Sequence, residues 1–324
     1  MRGLIAALVL AATPVAAQRP TVPPATRVQL AEAFRMAAAL SDSVWPGWGG
    51  TPFDVLLVTP LHEFLIHSNL TPAGFEPLVD DLDLGPLRVR PRQFDSTWLA
   101  TFPAFGLPAT VVAGLPENTR KRSSEWVITL LHEHFHQRQW RDSAYLPEVD
   151  ALGLSGGDQT GMWMLNYPFP YDNFAVQRRA QILARALATA LRAAGSDSFP
   201  AKVQHVPVAL DAFTANLAEN DRKYFWFQIW QEGVSRYVEV LAAEWAARVY
   251  TPTPAFAALP DFQPFAVVAQ DLKAAIVTEL EAADLGQQRR VLFYPLGAAL
   301  ALVLDRTDPT WRQRYFARRF QQLH

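Results

Sequence analysis

The chain has 324 residues, half of them hydrophobic and ten of them tryptophan, enough apolar surface for a full core and too much for a disordered segment. Lys and Arg number 29 against 31 Asp and Glu, a net charge of −2 that gives no footprint for nucleic acid or an anionic membrane. With no cysteine, disulfides and thiolate metal ligands are both excluded.

Met1-Arg2, the apolar run from Leu4 to Leu10 and the small residues Val15-Ala16-Ala17 have the parts of a secretory signal over residues 1–17. That run is too short to span a bilayer, and no later stretch stays uncharged for long enough, so no membrane span is expected once the signal is removed. Export without cysteines suggests a bacterial periplasmic or secreted protein. A retained anchor is the alternative reading of the same segment.

Residues 18–52 read as a Pro- and Thr-rich linker followed by a helix with periodicity from Val28 to Leu40. An αβ lobe follows over residues 53–140. Phe53–Val58, Leu87–Arg90 and Ala109–Gly114 read as strands. Thr97–Phe102 is ambiguous. His62 and His67 look like a metal pair, but five residues on a helix is about 500°, which puts the rings on different faces. Residues 141–221 form a helical insertion. Its Gly153–Gly161 loop lacks the Gly-Lys-Ser/Thr of a phosphate cradle, and Asn166–Asn173 is a loop stiffened by prolines. Helices are expected over Ala175–Ala194 and Pro207–Asn220. Residues 222–324 form a helical lobe, with helices around Phe225–Trp245, over Asp271–Ala283 and after Pro295. Arg312, Arg314, Arg318 and Arg319 read as the solvated face of a terminal helix.

Chemistry concentrates at His132-Glu133-His134-Phe135-His136, which reads H-E-x-x-H within a helix-compatible apolar run. Residues four apart differ by only about 40° around a helix axis, so His132 and His136 project from one face and can share a metal ion. Glu133 lies beside them, placed to take a proton from an attacking water. His134 points off that face and reads as solvated or hydrogen-bonded. The downstream aromatic helix offers Glu232 as a third ligand. Gly233 follows it, and its missing side chain would let this helix approach the metal helix closely. Glu239, seven residues on, returns to the same face and could orient a ligand histidine. Two histidines and one carboxylate leave a fourth position open, as catalytic zinc requires. The bland alternatives are two histidines on a helix, an ordinary surface carboxylate at Glu232, and a glutamate of no special role at Glu239.

Gln231-Glu232-Gly233-Val234-Ser235-Arg236-Tyr237-Val238-Glu239 resembles the Asn-Glu-Gly-x-x-x-Tyr-x-Glu segment of gluzincin aminopeptidases, the alanyl and glycyl aminopeptidase-like zinc peptidases. Tyr294-Pro295-Leu296-Gly297-Ala298 is similar to their Tyr-x-x-Gly-Ala segment. The resemblance implies His132, His136 and Glu232 as Zn2+ ligands, Glu133 as general base, Glu239 as an outer partner, and Tyr294 as donor to the developing oxyanion. If Tyr294 is not that donor, Tyr237 and Tyr171 are next. The stretch from His136 to Glu232 is far longer than in those enzymes, and their Gly-x-Met-Glu-Asn segment for a substrate's amino terminus has no counterpart. The implied fold is α+β and zincin-like. A small mixed sheet lies in the N-terminal lobe, the C-terminal lobe is mostly helical, and the metal site occupies the cleft between them. Ala109–Gly114 would border that cleft with a free edge for an extended peptide. The expected function is a zinc-dependent peptidase acting on a peptide or protein substrate. The rivals are a zinc hydrolase of a non-peptide amide or ester, and an inactive binding protein of the same fold.

Overall fold

The computed structural model describes residues 19–322, so the signal expected over residues 1–17 lies outside the described residues. Helix α1 spans Pro24–Val44 and starts earlier than the apolar periodicity suggested. Proline fixes a helical φ and loses no hydrogen bond in a first turn, so Pro24 opens this helix where it read as linker. Leu30, Ala33, Met36 and Leu40 form its buried side.

Six strands follow, β1 (Val55–Val58), β2 (His62–Ile66), β3 (Glu76–Pro77), β4 (Leu87–Pro91), β5 (Leu99–Ala104) and β6 (Leu107–Gly114), in one sheet of order β3-β4-β2-β1-β6-β5. Strands β1 and β6 are parallel and the other pairings antiparallel. Val55 and Leu57 face the main core, whereas Leu56 and Val58 join Leu65 and Val112 in a small cluster on the opposite face. Burial on both faces explains why β1 is uninterruptedly apolar.

Two expectations change here. His62–Ile66 is strand, not helix, and His67 lies just beyond it at a positive φ of 60°. Alternation buries Glu63 against Arg90, whose Nε donates to the carboxylate at 2.7 Å, while His67 stacks on Phe34. The ambiguous Thr97–Phe102 stretch contributes β5, which pairs along β6 and takes the sheet's edge. The free edge therefore belongs to β5 and not to Ala109–Gly114.

The rest is helical. Helix α2 spans Ser123–Trp140 and is buried along nearly its whole length, so it shows no polar stripe. Asp261 caps it from a distant loop, accepting the Ser123 backbone N–H at 2.8 Å. Phe174–Ala193, within the expected insertion, packs on Phe265–Glu281 and Phe293–Thr307. Its Leu183 and Leu187 join the same core as Leu131 and Val240. The helix expected over Pro207–Asn220 is His205–Thr214, and Glu219–Gln228 is the start of the run that leads into Glu232. Pro295 lies in the first turn of Phe293–Thr307, not ahead of it. The terminal arginines are not a solvated helix face: Trp311–Arg314 is one turn. The Arg319 side chain is largely covered and paired with Asp142 at 2.6 Å and Glu148 at 2.7 Å. No helix among the described residues is long and apolar enough to cross a membrane.

Candidate metal centre

Helix α2 is fastened to the sheet by side chains of its own. The Trp126 indole donates to Gly114 O at 3.0 Å, and the Gln137 amide donates to Asp54 O at 3.0 Å and Ala109 O at 3.2 Å. His132, Glu133 and His136 are thus held against the end of the sheet that carries β6 and β5. The second contributor is a π-helical turn, Ile229–Gly233, between Glu219–Gln228 and Val234–Val249. Such one-turn bulges shift the register of the side chains beyond them and recur at functional sites. This one presents Glu232.

Gly233 makes its close approach to Gly297 of Phe293–Thr307, not to α2 as expected. A Cβ built on either glycine would lie 2.5 Å from the other's Cα, so only two glycines permit this crossing. Tyr294 is one helical turn before Gly297, on the same face. A single backbone contact therefore brings Tyr294 beside Glu232.

The three expected ligands converge. His132 Nε2 and His136 Nε2 are 3.1 Å apart, and Glu232 Oε2 lies 3.4 Å from His136 Nε2 and 3.9 Å from His132 Nε2. Behind them, His132 Nδ1 lies 2.7 Å from Glu239 Oε1, and His136 Nδ1 lies 2.6 Å from Gln139 Oε1. Arg236 holds the other oxygen of Glu239 and reaches Glu279 at 3.5 Å. Gln139 escaped the sequence reading. Its amide nitrogen lies 3.1 Å from both Trp230 O and Gln231 O, which turns its oxygen to His136. Both histidines therefore carry hydrogen on Nδ1, which leaves Nε2 as the atom each would offer to a metal. The available signal was a glutamine one helical turn after His136.

Charge reinforces this arrangement. Burial alone would lower the pKa of His136, but Glu232 and then Glu133 push it up; burial would raise Glu232, but His136 holds it down. Glu239 resists burial too, held low by Arg236 and then His132. Glu133 is itself buried, and the Thr101 hydroxyl of β5 lies 2.9 Å from its Oε2. Burial and the charge of Glu232 push the Tyr294 phenol well above its usual range, so it keeps its proton. Its oxygen accepts from Arg290 at 3.0 Å.

The alternative donors lie elsewhere. Tyr237 gives its hydroxyl to Asp305 at 2.6 Å, and Tyr171 packs against Phe169 and Phe293. His134 is buried and not solvated. It stacks on Phe53 at 4.1 Å, meets Gln137 Oε1 at 2.9 Å, and is driven down to about 4 by burial. Two imidazole nitrogens and one carboxylate, with ligand atoms all within 4.8 Å of one another, fit a divalent ion such as zinc. In comparisons with known proteins the chain matches no family model, no curated protein and no solved structure.

Proposed function

We propose that this chain is a zinc-dependent hydrolase of gluzincin type that cleaves peptide bonds. The observation that carries the reading is the convergence of Glu232 on His132 and His136 from almost a hundred residues downstream. Buttressing of both Nδ1 atoms supports it, since a chance meeting of three side chains has no reason to come with its outer partners. In this reading the fold is zincin-like, with the metal between the sheet and the helices. Strand β5 offers its edge to an extended peptide. Residues 1–17 direct the protein to the periplasm or the exterior.

A zinc ion held by His132, His136 and Glu232 would supply Lewis acidity, activating water near neutral pH and polarising the scissile carbonyl. Glu133, steadied by Thr101, takes a proton from the attacking water and returns it to the leaving amine. Tyr294, protonated and next to Glu232, donates to the oxygen on which charge develops. Arg290, donating to the same phenol oxygen, directs the Tyr294 proton away from itself and toward the reacting centre.

Substituting Glu133→Gln tests the reading. The purified variant is expected to hold zinc like the parent while turnover of a peptide library, followed by mass spectrometry, falls by roughly 10²–10⁴-fold. Undiminished turnover, or a parent protein that binds no zinc when supplied with it, refutes the proposal. Cleavage of amides or esters but never peptides would replace the substrate class and keep the chemistry.

A further inference from the structure

Arg90, Arg236 and Arg319 are sunk in the fold, and each meets a carboxylate: Glu63, Glu239, and the pair Asp142 and Glu148. Arg290 is half-buried beside the metal cluster and differs from them. Among the described residues no carboxylate oxygen lies within 4.0 Å of its guanidinium. Its side-chain hydrogen bond is the one to Tyr294, at 3.0 Å. A guanidinium carries five N–H donors in a planar fork suited to a carboxylate, and a half-buried one without an anion is an incomplete arrangement.

The backbone is shaped to place it there. Arg289 takes a positive φ of 49°, a conformation costly for a residue with a side chain. Across that kink the two arginines part company. Arg289 lies over the Tyr171 ring at 5.4 Å and 3.7 Å from Asp172, whereas Arg290 turns to Tyr294. Phe293 locks the segment by packing on Phe169 and Phe225. The charge of Arg290 is felt at Glu232, so the guanidinium and the metal cluster share one electrostatic environment.

We propose that Arg290 is the subsite for a substrate carboxylate adjacent to the scissile bond, an acidic side chain or a free C-terminus, and that carboxylate-bearing peptides are the substrate class. This rests on the hydrolase reading. Tyr294 lies between Arg290 and Glu232, so an anion on Arg290 sits about one residue, roughly 3.5 Å of chain, from a carbonyl within reach of that phenol.

Binding, not turnover, is the test. Zinc-loaded Glu133→Gln protein is titrated calorimetrically with two matched probe pairs. One is N-acetyl-trialanine against its carboxamide, and the other N-acetyl-Ala-Glu-Ala-amide against N-acetyl-Ala-Gln-Ala-amide. One carboxylate member is expected to bind at least about ten-fold more tightly than its neutral twin, and which pair shows it identifies the source of the carboxylate. Adding Arg290→Gln should erase that preference at unchanged zinc content, and Arg290→Lys, which keeps the charge without the fork, should restore part of it. No preference in either pair, a preference that survives Arg290→Gln, or an equal loss for both members of a pair overturns the proposal. A preference in a protein whose parent cleaves nothing would instead leave the subsite standing and remove the hydrolase reading.

Discussion

Gln139 does for His136, without a charge, what Glu239 does for His132. Its amide cannot usefully turn over, because the nitrogen end lies between the carbonyls of Trp230 and Gln231 and near the Tyr315 hydroxyl at 2.6 Å. The oxygen end is therefore fixed on His136 Nδ1, and with it the imidazole tautomer. The same side chain ties α2 to the π turn that presents Glu232, so it positions His136 and Glu232 at once. Replacing it with Met keeps the volume and removes every hydrogen bond. Zinc affinity of Gln139→Met, measured by competition with a chromogenic chelator, is expected to fall by roughly 10–100-fold. An unchanged affinity would mean that Ser235 Oγ, 3.3 Å from the same nitrogen, is sufficient to orient the ring.

At the scale of elements, the crossing of the π turn with Phe293–Thr307 decides where Glu232 and Tyr294 stand. In Gly297→Ala the new Cβ would meet Gly233 Cα at 2.5 Å, a contact that backbone cannot yield to by rotating a side chain. The two segments must separate, at a cost of about 1–3 kcal/mol. A lower melting temperature should accompany weaker zinc binding, because the displaced turn carries a ligand. A loss of stability with zinc affinity intact would show that Glu232 is held independently of this crossing. The candidate ligands were legible in sequence because each leaves a local pattern, two histidines one turn apart and a glutamate followed by glycine. The partner of Gly233 was not, because that contact joins positions remote in the chain and nothing at either one names the other. Strand β5 was hidden for a related reason. Its residues are mostly half-buried, so they lack the strict alternation that a strand packed on one face displays. Strand β2 was obscured by His62 and Glu63, and the burial of Glu63 is explained only once Arg90 is seen alongside.

For the whole molecule, the candidate metal site is a joint between two bodies of structure. His132 and His136 belong to a helix fastened to the sheet through Gln137, Trp126 and Thr101. Glu232 belongs to a helical group that includes Phe174–Ala193, Phe265–Glu281 and Phe293–Thr307. A bound ion would cross-link them and would also offset the carboxylates gathered at Glu133, Glu232 and Glu239. An ion that binds only the folded chain stabilises it by mass action, by about 4 kcal/mol when free zinc exceeds the dissociation constant a thousand-fold. For a chain of this length that shift raises the melting temperature by roughly 5–10 °C. Calorimetric scans of zinc-loaded and chelator-treated protein should show this gap, and in Glu232→Ala it should close almost completely, since two imidazoles alone bind far more weakly. If the wild-type gap is absent after metal analysis has confirmed that zinc was loaded and then removed, the two bodies are held together without the ion. The convergence of His132, His136 and Glu232 would then be a packing arrangement of buried polar groups, whose stability comes from Glu239, Gln139 and Arg236.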